Sequence, residues 1–134
     1  VYSQNHPMFG SVSEWFYKFI GGIRPDEDAV GFDRFRIEPD VVGDLEWVVC
    51  SYESVRGTIK SNWRVEGDLL HVTLDIPVNT TALVRIPTSD SAAAREGGLP
   101  IAQVSPIQQL PTTTADALRL ELGSGQYVFT VPAP

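Results

Sequence analysis

The fold class is decided by residues 58–76, which read TIKSNWRVEGDLLHVTLDI. Apolar residues recur at alternate positions on one side of this stretch, with Ser61 as the one polar exception, and polar residues fill most of the positions between them. Alternation with a period of two is typical of β-strands that bury one face. Glu66-Gly67-Asp68 interrupts the pattern in the middle, as a short glycine-containing hairpin loop does. The stretch therefore predicts two antiparallel strands joined by a tight turn.

Further alternating segments lie on both sides of this hairpin. We expect additional strands at residues 35–38, 45–54, 82–86, 100–104, 118–122 and 127–131. The last two segments are separated by Gly123-Ser124-Gly125, which predicts a final hairpin. About eight short antiparallel strands that each bury one face require two sheets packed against each other. The predicted fold is therefore mainly β, an antiparallel β-sandwich of about eight strands.

One amphipathic α-helix is predicted ahead of the strands. Its apolar residues recur at i, i+3, i+4, i+7, i+8 and i+11, and they are Val12, Trp15, Phe16, Phe19, Ile20 and Ile23. This spacing forms one helical stripe, which needs a partner surface. Gly21-Gly22 offers a left-handed C-cap, and Pro25 prevents continuation. The helix therefore either lies on the β-domain or is the end of an α-helical domain whose remainder is absent.

Residues 24–28, with the sequence RPDED, form the best domain boundary in the chain. They are polar and acidic, which is typical of a solvated linker. We therefore divide the chain into residues 1–24 and residues 25–134. The three acidic residues resemble a calcium site only in composition, because calcium needs a shaped loop of oxygen ligands. No metal site is predicted.

The charge balance excludes some classes of partner. Ten Lys and Arg residues stand against seventeen Asp and Glu residues, which gives a net charge of -7 at pH 7. A phosphate backbone would be repelled, so we expect no nucleic-acid partner. No apolar run approaches the roughly 20 residues that cross a bilayer, so we expect no membrane span. Cys50 is the single cysteine, and we predict a buried, inert thiol because neither histidine is near it in sequence.

Short motifs along nearly the whole chain resemble one enzyme family. In chain order they are NH at 5–6, GSVSEWFY at 10–17, GF at 31–32, IEP at 37–39, VGDLEW at 42–47, SYES at 51–54, GTI at 57–59, IPVNTTA at 76–82, EGG at 96–98 and GSGQY at 123–127. In this collinear order they resemble the bacterial α-L-rhamnosidases of glycoside hydrolase family 78. Residues 105–114 alone match nothing in the family pattern.

The resemblance implies an (α/α)6 barrel that hydrolyses terminal α-L-rhamnose with inversion, followed by a C-terminal β-sandwich. Residues 1–24 would be the last helix of an otherwise absent barrel, and residues 25–134 would be the sandwich. In the family both catalytic carboxylates lie upstream of the Asn-His motif, so we expect no catalytic residue in this chain and no activity of the chain alone. The histidine of that motif lines the rhamnose-binding subsite, which makes His6 the candidate substrate-binding residue. No cofactor is implied.

Three functions stay open at this point. The chain is the C-terminal part of an α-L-rhamnosidase, with the barrel and rhamnose-containing glycosides as partners, or an autonomous carbohydrate-binding module, or a purely structural sandwich. A binding module requires an exposed aromatic platform, for which the candidates are Trp47, Tyr52, Trp63 and Tyr127. Trp63 shares a face with Ile59 and Val65, which favours the core. In an isolated chain we expect the helix to find a substitute partner, either in a homodimer or on the sandwich.

Overall fold

The computed structural model describes residues 21–26, 33–41, 44–104, 107–112 and 116–134. In these ranges the chain forms eleven β-strands and two short 3₁₀ helices. The strands are β1 (Ile23–Pro25), β2 (Arg34–Ile37), β3 (Trp47–Ser54), β4 (Gly57–Glu66), β5 (Leu69–Ile76), β6 (Thr81–Pro87), β7 (Arg95–Glu96), β8 (Leu99–Pro100), β9 (Gln108–Gln109), β10 (Ala117–Leu122) and β11 (Gly125–Pro132). The 3₁₀ helices span Ser91–Ala93 and Ile101–Gln103.

The strands form two sheets. One sheet has five strands in the order β1-β2-β6-β10-β9, and the other has six in the order β3-β4-β5-β11-β7-β8. Every described strand pair is antiparallel except β2 and β6, which run parallel. The predicted two-sheet, mainly β fold is confirmed, with this one parallel pair as a departure from the expected antiparallel pattern.

The core lies between the sheets and draws side chains from both. The five-stranded sheet contributes residues such as Phe35, Ile86 and Leu120, and the six-stranded sheet contributes residues such as Leu74 and Phe129. Each of these five side chains is fully buried. Because side chains alternate between faces along a strand, one apolar residue in two is enough to fill the layer between two sheets.

The hairpin at residues 58–76 is confirmed. Strands β4 and β5 pair antiparallel from Lys60 opposite Asp75 to Glu66 opposite Leu69. Gly67 and Asp68 connect them, and Gly67 has a φ of +62°, a left-handed conformation that glycine adopts without steric cost.

The predicted final hairpin is wrong. Strand β10 pairs with β6 and β9, whereas β11 pairs with β5 and β7 in the opposite sheet. The chain therefore crosses between the two layers after Leu122 instead of turning within one sheet. A crossing of this kind leaves the same inward-facing apolar pattern as a hairpin, so alternation alone does not separate the two.

The predicted strand at residues 100–104 is also wrong. Strand β8 ends at Pro100, and Ile101–Gln103 is a 3₁₀ helix that buries Ile101 against the core. The Ile101 N–H still donates a 3.3 Å hydrogen bond to the Ala94 carbonyl oxygen, and the chain then turns into the 3₁₀ helix. The short strands β1, β7 and β9 were not expected, and they raise the number of strands above eight.

The linker predicted at residues 24–28 is wrong in its described part. Ile23 and Arg24 pair with β2, and the sandwich includes them. Asp26 is only 7% exposed, and its carboxylate contacts Arg34 Nε at 3.2 Å and Arg36 Nε at 3.8 Å. The acidic sequence alone predicts that Asp26 is exposed to solvent. The carboxylate is buried because two neighbouring guanidinium groups compensate its charge. Ile23, the last residue of the predicted helical stripe, lies in strand β1, so the helix prediction is wrong at this residue. The rest of the predicted stripe lies outside the described residues, and the division of the chain at residue 24 stays a prediction.

Candidate functional site

The outward face of the six-stranded sheet carries a row of side chains across four neighbouring strands. Trp47 on β3 is opposite Arg64 on β4, and Arg64 is opposite His71 on β5. His71 is in turn opposite Thr130 on β11. Because directly paired residues point to the same side of a sheet, these four side chains form a continuous line on the surface.

A groove of about 280 Å³ lies along this line. Its described lining is Trp47, Val48, Val49, Asn62, Trp63, Arg64, His71, Thr73 and Val128. Trp47 is 65% exposed and Val49 is 70% exposed, so the floor offers an indole and an aliphatic side chain to solvent. Adjacent exposed apolar side chains with polar neighbours are typical of a ligand- or partner-binding surface.

The polar side chains of this groove have fixed contacts. Arg64 Nε lies 3.4 Å from the Glu66 carboxylate. The Asn62 side-chain oxygen accepts a 3.1 Å hydrogen bond from the Cys50 backbone N–H. The contact with Cys50 holds the Asn62 amide in place, whereas the ion pair of Arg64 is exposed to solvent and leaves its guanidinium accessible.

The histidine of the groove is held from the neighbouring strand. His71 Nδ1 lies 3.4 Å from Thr130 Oγ1. One ring nitrogen of His71 therefore contacts Thr130 on the neighbouring strand, and His71 also lines the groove. An imidazole can donate or accept a hydrogen bond at a ligand hydroxyl, depending on its tautomer.

The lining suits binding of a polyhydroxylated ligand better than bond cleavage. An exposed indole can pack against the apolar face of a sugar ring, while amide, hydroxyl, imidazole and guanidinium groups can hydrogen-bond its hydroxyls. Hydrolysis of a glycoside needs a pair of carboxyl groups, one on each side of the scissile bond. The described lining includes neither Asp nor Glu. We therefore assign this groove no catalytic chemistry.

The four candidate aromatic residues do not form one platform. Trp63 is 2% exposed and belongs to the core, as predicted, and Tyr52 packs against the core from its rim. Tyr127 stacks on Phe129 with ring centroids 6.0 Å apart. Trp47 alone among the four is largely exposed. The partners of Trp47 were missed from the sequence, although the register of the 58–76 hairpin would have placed Arg64 opposite His71.

One buried group, Cys50, and one partly buried group, Tyr127, have raised pKa values. Burial raises the pKa of the Cys50 thiol from 9.0 to about 11, which agrees with the predicted inert cysteine. Burial, followed by the negative charge of Glu96, raises the pKa of the Tyr127 hydroxyl. A thiol with a raised pKa is a poor nucleophile at neutral pH.

Within the described ranges, no cluster of three His, Cys, Asp or Glu side chains could hold a metal ion.

His6, the candidate substrate-binding residue, lies outside the described residues, so its position stays a prediction. The described part of the chain also has no helix that is long and apolar enough to cross a membrane.

Comparison with known proteins assigns the sandwich to a family. Residues 22–98 match the family described as the bacterial alpha-L-rhamnosidase C-terminal domain, and this range is more than half of the chain. The chain belongs to this family. Its match begins one residue before β1, which agrees with the inclusion of Ile23 and Arg24 in the sandwich.

Individual relatives of the chain agree with this family assignment, because they are named alpha-L-rhamnosidase. An alpha-L-rhamnosidase of Formosa agariphila is 27% identical over 93% of this chain, and one of Streptomyces avermitilis is 34% identical over 63%. The chain spans 13% and 8% of the length of these two relatives. It is thus similar to a small part of much longer proteins.

Solved structures show the same fold. The structure of alpha-L-rhamnosidase from Dictyoglumus thermophilum superposes on 96% of this chain with a TM-score of 0.78 and 28% identity, and the match covers 14% of that structure. The Streptomyces avermitilis alpha-L-rhamnosidase, solved in complex with L-rhamnose, superposes on 92% with a TM-score of 0.75 and 27% identity, and the match covers 11% of it.

Proposed function

We propose that this chain is the C-terminal part of an α-L-rhamnosidase that hydrolyses terminal α-L-rhamnose from glycosides with inversion. In this proposal the sandwich supports an upstream (α/α)6 barrel, and the last barrel helix lies within residues 1–24, ahead of strand β1. The observation that carries the proposal is the match of residues 22–98 to the rhamnosidase C-terminal domain family. The proposal takes support from relatives that are all named alpha-L-rhamnosidase.

The catalytic groups of the proposed enzyme lie upstream of this chain. An inverting glycosidase needs one carboxylic acid to protonate the leaving oxygen and one carboxylate to activate water, roughly 6.5–9.5 Å apart. The sugar-compatible groove described above has no carboxylate among its described lining residues. We therefore expect the chain alone to be inactive on rhamnosides.

The support role rests on how the chain enters the sandwich. The carbonyl oxygen of Gly21 accepts a 2.7 Å hydrogen bond from Ser61 Oγ, and the carbonyl oxygen of Gly22 accepts one of 2.9 Å from the Glu38 N–H. Both glycines are buried. Because the peptide that follows the predicted helix is fixed between strands, the helix would leave the sandwich in one direction. A fixed exit of this kind suits a domain that holds a barrel in position.

His6 is proposed to contact the rhamnose ring. We expect His6→Ala, in the chain together with its upstream residues, to raise KM for an aryl α-L-rhamnoside about tenfold, the equivalent of one lost hydrogen bond. The control is Arg56→Ala, which changes an exposed residue in the turn between β3 and β4, away from the groove. Unchanged kinetics in His6→Ala would show that this residue does not contact the substrate.

The inverting mechanism has its own test. NMR of the rhamnose released at the start of the reaction should show the inverted, β anomer.

A second function, carbohydrate binding by the sandwich itself, is favoured by the exposed Trp47 in the groove. We expect calorimetric titration of the chain with rhamnosides and plant polysaccharides to show saturable binding. Trp47→Ala should abolish the binding. Val55→Ala is the control, because Val55 is exposed in the turn between β3 and β4. Binding that survives in Trp47→Ala would rule out the groove as the binding site.

A further inference from the structure

The two sheets end in four terminal strands within the described ranges, namely β1, β3, β8 and β9. Three of them are very short, with three residues in β1 and two each in β8 and β9. Strand β3 differs, because it has eight residues and pairs with β4 without interruption from Trp47 to Ser54. One long, regular edge is therefore found beside three short ones.

The sequence of β3 has none of the usual protection of an edge. An edge strand directs backbone N–H and C=O groups away from its sheet, and natural proteins prevent these groups from pairing with another chain by shortness, proline, basic residues or β-bulges. Strand β1 ends at Pro25 and β8 ends at Pro100. Strand β3, with the sequence WVVCSYES, has no proline, no basic residue and no bulge in its register with β4. Pairing with another strand is therefore not prevented at β3.

The single charged side chain of β3 gives little protection either. Glu53 is next to the last residue of the strand, and its carboxylate accepts a 2.6 Å hydrogen bond from Thr58 Oγ1 on β4. The carboxylate is therefore held toward the paired side of β3. At the other end of the strand, Trp47 and Val49 are largely exposed on the outer face of the sheet. This end offers uncharged backbone together with apolar side chains, a combination typical of a protein contact.

The pattern of β3 is complementary to a second copy of itself in antiparallel orientation. Directly opposite residues point to the same face of a sheet, so a two-fold axis at Val49 places this residue opposite Val49 of the second copy. Trp47 then lies opposite Ser51 of the second copy. The two Glu53 residues lie at opposite ends of the strand pair, roughly 26 Å apart. Like charges of β3 are therefore kept apart, and the two exposed valines meet.

We propose that β3 pairs with β3 of a second copy of this chain, so that the two six-stranded sheets form one continuous sheet. A second copy is favoured as the partner because β3 is complementary to itself in length, apolar pattern and charge. Two-fold dimers are also the commonest assemblies of soluble proteins. The outer faces continue across the interface, which brings the grooves at Trp47 of the two copies to the same side. This inference goes beyond the proposed function and does not depend on it.

Sedimentation of the chain at increasing concentration tests the pairing. A single strand pair is a small interface, so we expect a weak dimer whose mass rises from 14.7 kDa towards twice that value. Val49→Lys places a charge at the centre of the interface and should keep the chain monomeric. The matched control is Val78→Lys, because Val49 and Val78 are 70% and 71% exposed and Val78 lies in the turn between β5 and β6. This control should dimerise as the native chain does.

Amide hydrogen exchange locates the contact. We expect exchange at β3 to slow as the dimer fraction rises, because backbone groups of this edge become hydrogen-bonded to the second copy. The amides of edge strand β8 should keep their exchange rates at every concentration. In Val49→Lys the slowing at β3 should be absent.

Three results would overturn the proposal. One is a mass of 14.7 kDa at every concentration up to roughly 1 mM. Another is a dimer that persists in Val49→Lys and is lost in Phe16→Asp, since the contact would then involve the predicted helix. The third is slow exchange at the edge of β3 in the monomer, which would identify another segment of the chain as the partner of this edge.

Discussion

Ser61 donates a 2.7 Å hydrogen bond from its Oγ to the carbonyl oxygen of Gly21, which lies forty residues earlier in the chain. Ser61 is fully buried on the inward face of β4, between the apolar residues Ile59 and Trp63. A hydroxyl in this position would be costly without a partner, and the Gly21 carbonyl supplies one. The contact therefore ties the chain entry to the six-stranded sheet, while β1 belongs to the five-stranded sheet.

We expect Ser61→Ala to lower the free energy of unfolding by about 1–2 kcal/mol, because it leaves the Gly21 carbonyl buried without a donor. Chemical denaturation of the chain measures the change. The matched control is Ser51→Ala, since Ser51 is exposed on the outer face of the same sheet, and its effect should stay within about 0.5 kcal/mol. Equal effects of the two substitutions would show that the Ser61 contact contributes nothing.

Gly22→Ala is expected to be more disruptive than a glycine substitution at a turn. Gly22 has a φ of +75°, and an added Cβ would collide with the backbone of Glu38 and Pro39. The combined cost of the left-handed conformation and the backbone shift should be at least about 2 kcal/mol. Gly97→Ala is the control, because φ is +58° there and a Cβ meets no atom within 4 Å, so it should cost only about 1 kcal/mol. A smaller loss in Gly22→Ala than in Gly97→Ala would contradict the packing at the chain entry.

Cys50 should make the fold sensitive to alkaline pH. The pKa of its buried thiol is raised from 9.0 to about 11, so the folded chain keeps a proton that the unfolded chain loses. The stabilising contribution is complete below pH 9 and is lost as the pH rises towards 11, up to roughly 2–3 kcal/mol. Denaturation curves between pH 8 and 11 should fall more steeply for the native chain than for Cys50→Ala. Parallel curves would contradict the burial of the thiol.

The two neighbouring tryptophans should respond in opposite ways. Trp63→Ala removes a core side chain and should cost about 3–5 kcal/mol. Trp47→Ala removes an exposed side chain and should change the free energy of unfolding by less than about 1 kcal/mol. Denaturant titration of both variants measures the difference. A large loss of stability in Trp47→Ala would mean that this indole packs into the fold and is not free for a ligand.

The sequence predicts the strands of the core well, because the physics that forms them is local. The alternation at β4 and β5 identifies both strands, the turn at Gly67 and the buried position of Trp63. The sheet in which a strand lies depends on distant partners. The pairing of β10 with β6 and of β11 with β5 therefore could not be derived from the Gly123-Ser124-Gly125 segment.

Charged residues were harder to interpret than apolar ones. The acidic run after Pro25 predicts a solvated linker, yet Asp26 is buried because Arg34 and Arg36 on β2 face it. The same strand register brings Arg85 opposite Arg119, a relationship invisible until β6 and β10 are paired. Of the candidate sites, the exposed Trp47 was among the predicted aromatic residues, whereas His6 stays a prediction.

Rhamnoside hydrolysis by the chain together with its upstream residues tests the proposed function most directly. With an aryl α-L-rhamnoside as substrate, we expect the longer protein to release the aryl group and the chain of 134 residues alone to release none. A longer protein that retains its acidic residues but shows no turnover would contradict the proposal. Turnover by the chain alone would contradict it equally, because both catalytic carboxylates are proposed to lie upstream.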